Sequence, residues 1–363
     1  MIFLSIAIII ILSGFIFFNH PQFGGRARAE RLERMRASAH YKDGQFQNLS
    51  ETPPLTPGSS YGRVMFDFLF HKNPRSRPDK AIPSIKTDLF GISPDEDVLI
   101  WFGHSSYYLQ LAGKRFLIDP VFGGNASPLP GSNRSFAGSD IYQPSDFPDI
   151  DYLLITHDHY DHLDHKMLKK LRPKIKQVFC GLGVGAHLEH WGYDSRIIRE
   201  MDWWDSYPLT DHIMLHATPA RHFSGRSFKR NNTLWLSFVL QAPDLNLFLG
   251  GDSGYDRHFE EIGNKYGPFD LALLDNGQHN TAWRAIHMFP DEVLKAATDL
   301  RAKAIIPGHS GKFAMAMHAW DDPLKQITEL NKQVGHKLLT PRIGEPVFLR
   351  QPNQVFEPWW EVL

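Results

Sequence analysis

Four potential metal ligands fall within six consecutive residues, directly after a short apolar run. The run Tyr152-Leu153-Leu154-Ile155 is followed by His157, His159, Asp161 and His162. A short apolar run that ends in a polar loop is typical of a buried strand, and the end of a strand gives the ligands a rigid base. A solvated turn has no need of so many histidines. The pattern therefore predicts a metal site at the end of a strand.

The spacing of these residues predicts two metal ions. His157 and His159 are the first and third members of a His-x-His motif and can converge on one cation. Asp161 and His162 lie further round the loop and can face a second cation. Imidazole nitrogen and carboxylate oxygen without a thiolate favour zinc, and iron or manganese would also fit this donor set. We expect two zinc ions as cofactors.

The motif His-x-His-x-Asp-His after a strand resembles the signature of the metallo-β-lactamase superfamily of binuclear metal hydrolases. His222, Asp252 and His309 follow in the order of that family, each at the end of a strand-like run. The resemblance implies that a hydroxide lies between the two metals. It also implies one metal on His157, His159 and His222, and a second on Asp161, His162 and His309, with Asp252 bridging them.

A narrower resemblance covers roughly residues 95 to 315. The chain is similar to the branch that contains the phospholipase D hydrolysing N-acylphosphatidylethanolamine. Four segments carry the similarity: Trp101-Phe-Gly-His-Ser-Ser; Leu117-Ile-Asp-Pro-Val-Phe with Ala126-Ser-Pro; the histidine motif itself; and Gly250-Gly-Asp-Ser-Gly-Tyr through Gly267-Pro-Phe-Asp-Leu-Ala. The resemblance implies a phosphodiesterase that acts on a phospholipid.

The same resemblance assigns roles to residues outside the ligand set. Tyr160 and His287 correspond to residues that contact the phospholipid, and Asp252 and His287 are the expected catalytic residues. His279 lies close to His287 in sequence and is a second candidate for its role. His104 is expected near the metals, where it would form a hydrogen bond to a ligand without binding metal itself.

Residues 2–18 are almost wholly apolar, and the first charged side chain is Arg26. About 20 such residues span a bilayer, so this segment predicts an N-terminal transmembrane anchor over residues 1–21. A cleaved signal is the alternative, but such a signal has a basic start and a shorter apolar core. The arginines at 26–36 would place the catalytic domain on the cytoplasmic side of the membrane.

The rest of the chain predicts one large α/β domain. A basic juxtamembrane segment and a Pro-rich extended wrap occupy residues 22–94, and the catalytic domain occupies 95–363. Strands are expected at 98–102, 107–111 and 115–118, and helices at 165–171, 291–300 and 323–334. This mixture predicts a four-layer αββα sandwich with the metals held by loops at one edge, the fold that the family resemblance also implies.

Composition limits the classes of partner that are expected for this chain. The formal net charge is −1, which offers no electrostatic argument for a nucleic-acid partner. The single cysteine, Cys180, allows no intramolecular disulfide and is expected in a buried strand without a chemical role. The expected partners are a phospholipid substrate and a membrane. The regions outside the resemblance are expected to shape a lipid tunnel or a homodimer contact.

The resulting hypothesis is a metal-dependent phosphoric diester hydrolase of phospholipase D type. A lactonase or another carboxylic-ester hydrolase is the alternative, because the same pair of metals also activates water toward a carbonyl carbon. A non-catalytic metal-binding membrane protein is a third hypothesis. The complete set of seven ligands argues against it, since a scaffold has no need of a bridging carboxylate.

Overall fold

A computed structural model of the chain describes residues 2–227 and 229–363. The helices within these ranges are α1 (Ile2–Phe18), α2 (Ala29–Ala37), α3 (Tyr61–Phe70), α4 (His165–Leu171), α5 (Gly185–His190), α6 (His258–Tyr266), α7 (Pro290–Asp299) and α8 (Asp322–Val334). The helices predicted at 165–171, 291–300 and 323–334 are confirmed to within a residue at each end.

Strands β1 (Tyr41–Lys42) and β2 (Gln45–Phe46) form a small hairpin, and the other strands form two large sheets. The first sheet has the order β16-β3-β4-β5-β6-β7-β8, and the second has the order β15-β14-β13-β12-β11-β10-β9. The strands of the first sheet are β3 (Val98–Trp101), β4 (Tyr107–Leu111), β5 (Lys114–Ile118), β6 (Ile150–Ile155), β7 (Ile175–Gly181), β8 (Ile198–Met201) and β16 (Pro346–Phe348). Those of the second are β9 (Ser206–Thr210), β10 (Ile213–Thr218), β11 (Ser237–Ala242), β12 (Leu245–Leu249), β13 (Leu271–Asp275), β14 (Ala304–Gly308) and β15 (Lys337–Leu338).

Each sheet has an antiparallel part and a parallel part. Strands β3, β4 and β5 form the predicted antiparallel hairpins, whereas β5 to β8 are parallel. In the second sheet, β12 to β15 are parallel. Parallel neighbours end at the same edge of a sheet, so the loops that follow β5 and β6, and those that follow β12, β13 and β14, lie together.

Three buried clusters build four layers. Leu154 of β6 and Leu249 of β12 belong to the core between the sheets. Leu153 and Ile155, on the other face of β6, pack with helix α4, and Phe248 of β12 packs with α6 and α7. Alternate residues of a strand point to opposite faces, so each central strand is apolar on both sides. The predicted αββα sandwich is confirmed, and Cys180 is buried in β7.

The predicted transmembrane anchor is wrong. Helix α1 has 17 residues and ends before Asn19-His20-Pro21. Within the described ranges, no helix combines the length and the apolar character needed to cross a membrane. At a rise of about 1.5 Å per residue, 17 residues extend only about 26 Å, against a hydrocarbon core of about 30 Å. Two further predictions depended on this anchor and are therefore wrong as well: the single-pass membrane localisation and the cytoplasmic side assigned to the catalytic domain.

The segment 22–94 runs over the surface of the sandwich and is less extended than expected. Helix α2 is attached to the protein through Arg31, which donates to Glu189 at 2.7 Å and to Glu200 at 2.9 Å. The wrap also contains helix α3. The residue before it, Ser60, accepts a hydrogen bond on its side chain from the backbone N–H of Arg63. This N-terminal cap allows a regular helix between the prolines that interrupt the rest of the segment.

Candidate metal centre

Strand β6 places the histidine motif at the edge where the two sheets meet. The strand ends at Ile155, and Thr156 then turns the chain by donating its backbone N–H (2.9 Å) and its hydroxyl (2.6 Å) to Asp119. Asp119 follows the neighbouring strand β5, so the parallel pairing of the two strands brings it there. A hydrogen bond from the Leu163 N–H to the His159 carbonyl (2.8 Å) closes the loop.

The first group of candidate ligands contains His157, His159 and His222. The Nδ1 atom of His159 lies 2.9 Å from His157 Nε2 and 3.2 Å from His222 Nε2. Ligand atoms about 2.0–2.1 Å from a tetrahedral zinc ion lie about 3.3 Å apart, close to this spacing. The other ring nitrogens are held by protein oxygens: His157 Nδ1 lies 3.1 Å from Thr156 Oγ1, and His222 Nδ1 lies 2.9 Å from the Ile286 carbonyl oxygen.

The second group contains Asp161, His162 and His309, and His104 joins it. These four buried residues offer ligand atoms that lie within 4.8 Å of one another. His162 Nδ1 is 2.8 Å from Asp119 Oδ2, which leaves Nε2 toward the site. His104 Nε2 lies 2.8 Å from Asp161 Oδ2. This contact matches the predicted hydrogen bond from His104 to a ligand.

Asp252 lies between the two groups. Its Oδ1 atom is 3.1 Å from His162 Nε2 and 3.0 Å from His309 Nδ1. Its Oδ2 atom is 3.9 Å from His157 Nε2 and 3.8 Å from His222 Nε2. One carboxylate oxygen therefore faces each group. This is the arrangement a bridging carboxylate requires, and the structure brings all seven predicted ligands together.

The residues present fit two divalent cations. Among the described residues, His162 Nε2, Asp252 Oδ1 and His309 Nε2 are buried, and although the first two lie 3.1 Å apart, none of the three atoms has a hydrogen bond of acceptable geometry. Burial holds the pKa of His157 and His222 well below the ordinary value, so both imidazoles are in the neutral form that binds metal. Burial opposes ionisation of Asp252, but His162 and His309 hold its pKa well below the usual range. Burial opposes the charged form of His162, but Asp252 and Asp161 raise its pKa well above the ordinary value, so a metal that binds there displaces a proton.

A cavity of about 350 Å³ opens beside these ligands. Asp161, Asp252 and His159 form part of its wall, and the predicted substrate residues Tyr160 and His287 line it as well. Most of the remaining lining is apolar, and part of it comes from the wrap. These residues are Pro54, Leu55, Val64, Ala126, Phe223, Trp283, Ile286 and Met315.

The other predicted residues occupy different positions relative to the cavity. The Tyr160 hydroxyl donates to the Arg226 carbonyl at 2.7 Å, and the tyrosine ring lies under the Arg226 guanidinium. His279 packs against Phe289, and its ring stacks on His318 at 4.9 Å between centroids. His287 therefore lies at the cavity and His279 packs beside it. The roles of these residues stay predictions.

Sequence reasoning assigned no role to three buried carboxylates around the site. Asp119 and Asp275 each stand at the end of a strand, the signal that pointed to Asp252. Asp158 lies inside the motif itself, where its side chain accepts from Gly225 N–H at 2.7 Å and contacts His187 Nε2 at 3.2 Å. A search of the sequence for every aspartate at a strand end would have found Asp119 and Asp275, although not the residues that they contact.

Two ligand groups joined by one carboxylate, at the edge of an αββα sandwich, define a metal-dependent hydrolase of the metallo-β-lactamase fold. Comparison with known families agrees: residues 114–310 match the profile described as the beta-lactamase superfamily domain, and the chain belongs to this superfamily. The predicted family is confirmed.

Relatives and a solved structure extend this comparison. An uncharacterized protein of Mycobacterium tuberculosis is 35% identical over 90% of this chain and 88% of its own length. The N-acyl-phosphatidylethanolamine-hydrolyzing phospholipase D 1 of Caenorhabditis elegans is 31% identical over 64% of this chain and 70% of its own. A metallo hydrolase of the archaeon Ignicoccus hospitalis shares the fold, with a TM-score of 0.52 and 20% identity over 69% of this chain and 97% of that one.

Proposed function

We propose that this protein is a di-metal phosphodiesterase of phospholipase D type that hydrolyses N-acylphosphatidylethanolamine or a related phospholipid. The observation that carries the proposal is the position of Asp252 between two ligand groups, at the wall of a largely apolar cavity of about 350 Å³. A phosphodiester with long acyl chains needs both a charged centre and an apolar wall. The name of the Caenorhabditis elegans relative supports this substrate class.

The proposed cofactors are two zinc ions, and iron or manganese would also suit the donor set. His157, His159 and His222 would hold the first, and Asp161, His162 and His309 the second, with Asp252 shared. When bound, such cations lower the pKa of a water nucleophile, polarise a phosphoryl oxygen and neutralise developing charge. His104 and Asp119 would orient Asp161 and His162 through the hydrogen bonds described above.

The chain's own residues supply the rest of the mechanism. Asp252 would hold the attacking water in line with the phosphorus and accept its proton on a carboxylate oxygen. His287 and Tyr160 line the cavity next to Asp252 and contact the phosphoryl group. Leu55, Val64 and Ile286 pack against the acyl chains and exclude water from the reacting bond.

The partners follow from this substrate. A phospholipid is presented by a membrane, so a membrane surface is the proposed site of action. The net charge of −1 gives no basis for a nucleic-acid partner. The homodimer contact stays a prediction.

The test combines metal content with lipid turnover. We expect elemental analysis of the purified protein to give about two zinc ions per chain, and the protein to release phosphatidic acid from N-acylphosphatidylethanolamine. His159→Ala removes a ligand of the first group and should lose metal and activity together. His287→Ala should keep both metals and lose turnover.

Each other outcome has a definite meaning. Two metals without release of phosphatidic acid, but with hydrolysis of lactones, would replace the phosphodiesterase by a carboxylic-ester hydrolase. Full activity of His287→Ala with both metals present would remove His287 from the reaction. Lipid turnover by the metal-free protein would contradict the proposed centre altogether.

A further inference from the structure

Asp275 is a buried carboxylate at the edge of the second sheet, between the strand that leads to Asp252 and the strand that leads to His309. It is the last residue of β13, whose neighbours β12 and β14 lead to Asp252 and His309. Parallel strands end at one edge, so these three residues lie side by side. Asp275 is 2% exposed, and none of the roles discussed so far includes it.

The contacts of Asp275 connect it to His287. Its Oδ2 atom lies 2.8 Å from His287 Nδ1 and accepts from the Ser253 backbone N–H at 3.2 Å. A buried carboxylate is a strong acceptor, so Nδ1 of His287 carries the proton and donates it to Asp275. The second ring nitrogen, Nε2, is then the one left for the cavity that His287 lines.

The His287 ring is also held by its neighbours on both sides. It stacks on His309 at 4.9 Å between centroids, with an interplanar angle of 18°, and it meets His222 edge-on at 5.1 Å. His222 and His309 belong to different ligand groups. The ring therefore stands between the two groups, and its hydrogen bond to Asp275 fixes which ring edge faces that carboxylate.

We propose that Asp275 is a positioning residue: its carboxylate accepts the Nδ1–H of His287 and so turns Nε2 of that ring toward the substrate. This inference rests on the proposed function, in which His287 contacts the phosphoryl group. A third metal site is the alternative role, because Asp275, His287 and His309 offer ligand atoms within 4.8 Å of one another. A third cation there would have to displace the hydrogen bonds from His287 and Ser253 to Asp275, and metal counting distinguishes the two roles.

The kinetic test uses Asp275→Asn, which keeps the shape of the side chain. An amide can donate as well as accept, so asparagine no longer fixes which ring nitrogen of His287 faces it. We expect kcat to fall about 100-fold with KM nearly unchanged and with about two metals retained, the size of effect seen when one positioned group that stabilises transition-state charge is lost. Asp270→Asn, at the opposite end of the same strand, is the matched control and should behave as the wild-type protein.

A double variant separates positioning from general damage. If Asp275 acts through His287, Asp275→Asn in combination with His287→Gln should be no slower than His287→Gln alone. Multiplied losses in the double variant would overturn the proposal. So would an unchanged kcat in Asp275→Asn, or a loss of one metal from it.

A spectroscopic readout is independent of the substrate. In the zinc-loaded protein labelled with ¹⁵N-histidine, NMR should show a protonated Nδ1 for His287, assigned by its disappearance in His287→Gln. The signal should shift or vanish in Asp275→Asn and persist in Asp270→Asn. A protonated Nε2 with a bare Nδ1 in the wild-type protein would overturn the proposal, even if the substrate proves not to be N-acylphosphatidylethanolamine.

Discussion

At the scale of single residues, the site is built from histidines whose two ring nitrogens have separate partners. His162 uses Nδ1 for Asp119, and His222 uses Nδ1 for the Ile286 carbonyl oxygen. Fixing one nitrogen sets the tautomer and aims the other at the site.

A second buried histidine near the site, His258, does not belong to the ligand set, and its burial disfavours the protonated form. His258, at the start of α6, is 2% exposed, and its Nε2 contacts Ser253 Oγ at 3.2 Å.

His258 makes the stability of the protein depend on pH. Burial lowers its pKa to about 3, whereas an unfolded histidine has a pKa of about 6.5. Below about pH 6.5 the unfolded chain binds a proton that the folded protein does not bind, so stability falls with decreasing pH. Between about pH 7 and about pH 5 this one group should lower the free energy of unfolding by about 2 kcal/mol.

Urea denaturation at the two pH values measures the effect. His258→Gln should lose about 2 kcal/mol less than the wild-type protein over that interval, because the terms shared by the two proteins cancel. His212→Gln, in the exposed turn between β9 and β10, is the control and should follow the wild-type protein. If the free energy of unfolding depended on pH identically in all three proteins, protonation of His258 would not destabilise the folded state.

At the scale of elements, the histidine loop is held from outside the sandwich by Arg226. The buried guanidinium donates from Nη1 to the carbonyl oxygens of Asp158 (2.7 Å) and Leu163 (2.8 Å), and from Nη2 to that of Gln22 (2.8 Å). The first carbonyl lies within the loop, the second directly follows it, and the third belongs to the segment that follows α1. One side chain thus connects the loop to the N-terminal segment.

Removal of that guanidinium should disturb both stability and metal binding. Arg226→Met would leave two buried carbonyl oxygens and the half-buried one of Gln22 without their donor, and we expect the free energy of unfolding to fall by about 3 kcal/mol or more. Metal affinity, measured by competition with a chelator, should fall about 10- to 100-fold as the loop shifts. Arg230 is an exposed arginine nearby, and Arg230→Met is the control for the loss of a positive charge in this region. Unchanged metal affinity in a destabilised Arg226→Met would mean that the loop keeps its shape unaided.

At the scale of the whole molecule, the cavity combines parts of the chain that are distant in sequence. The ligand groups come from both sheets, whereas Pro54, Leu55 and Val64 come from the wrap and lie outside the residues that match the family profile. Helix α3 presents Val64 to the cavity and leaves its neighbour Met65 59% exposed. The wrap is therefore the part of the chain best placed to select among substrates.

A larger side chain on α3 should discriminate between acyl chains. Val64→Trp fills part of the cavity, so we expect kcat/KM for a long-chain phospholipid to fall about 10-fold or more, with little change for a short-chain phosphodiester. Met65→Trp adds the same side chain to the outer face of the helix and should have no such effect. Equal losses for both substrates in Val64→Trp would place the acyl chains elsewhere.

Local patterns in the sequence were sufficient for much of the fold and of the candidate site. The apolar run before Thr156 and the strand ends before Asp252 and His309 are features of a few neighbouring residues, and a strand end points its loop in a definite direction. The αββα layers were predicted from early hairpins followed by alternating strands and helices, and from the family resemblance. The apolar run at the N-terminus was misleading, because composition does not show where α1 ends.

Tertiary structure alone decided the partners of those residues. Asp119 meets His162 across 43 positions because β5 and β6 pair in one particular parallel register. Asp275 meets His287 because a loop folds back over the end of β13. Arg226 reaches the histidine loop from a segment 63 residues beyond Leu163. The sequence by itself determined which residues stand at strand ends, since that depends on local periodicity. Only the packing of the two sheets decided which of them touch, since contacts between distant segments depend on register and not on pattern.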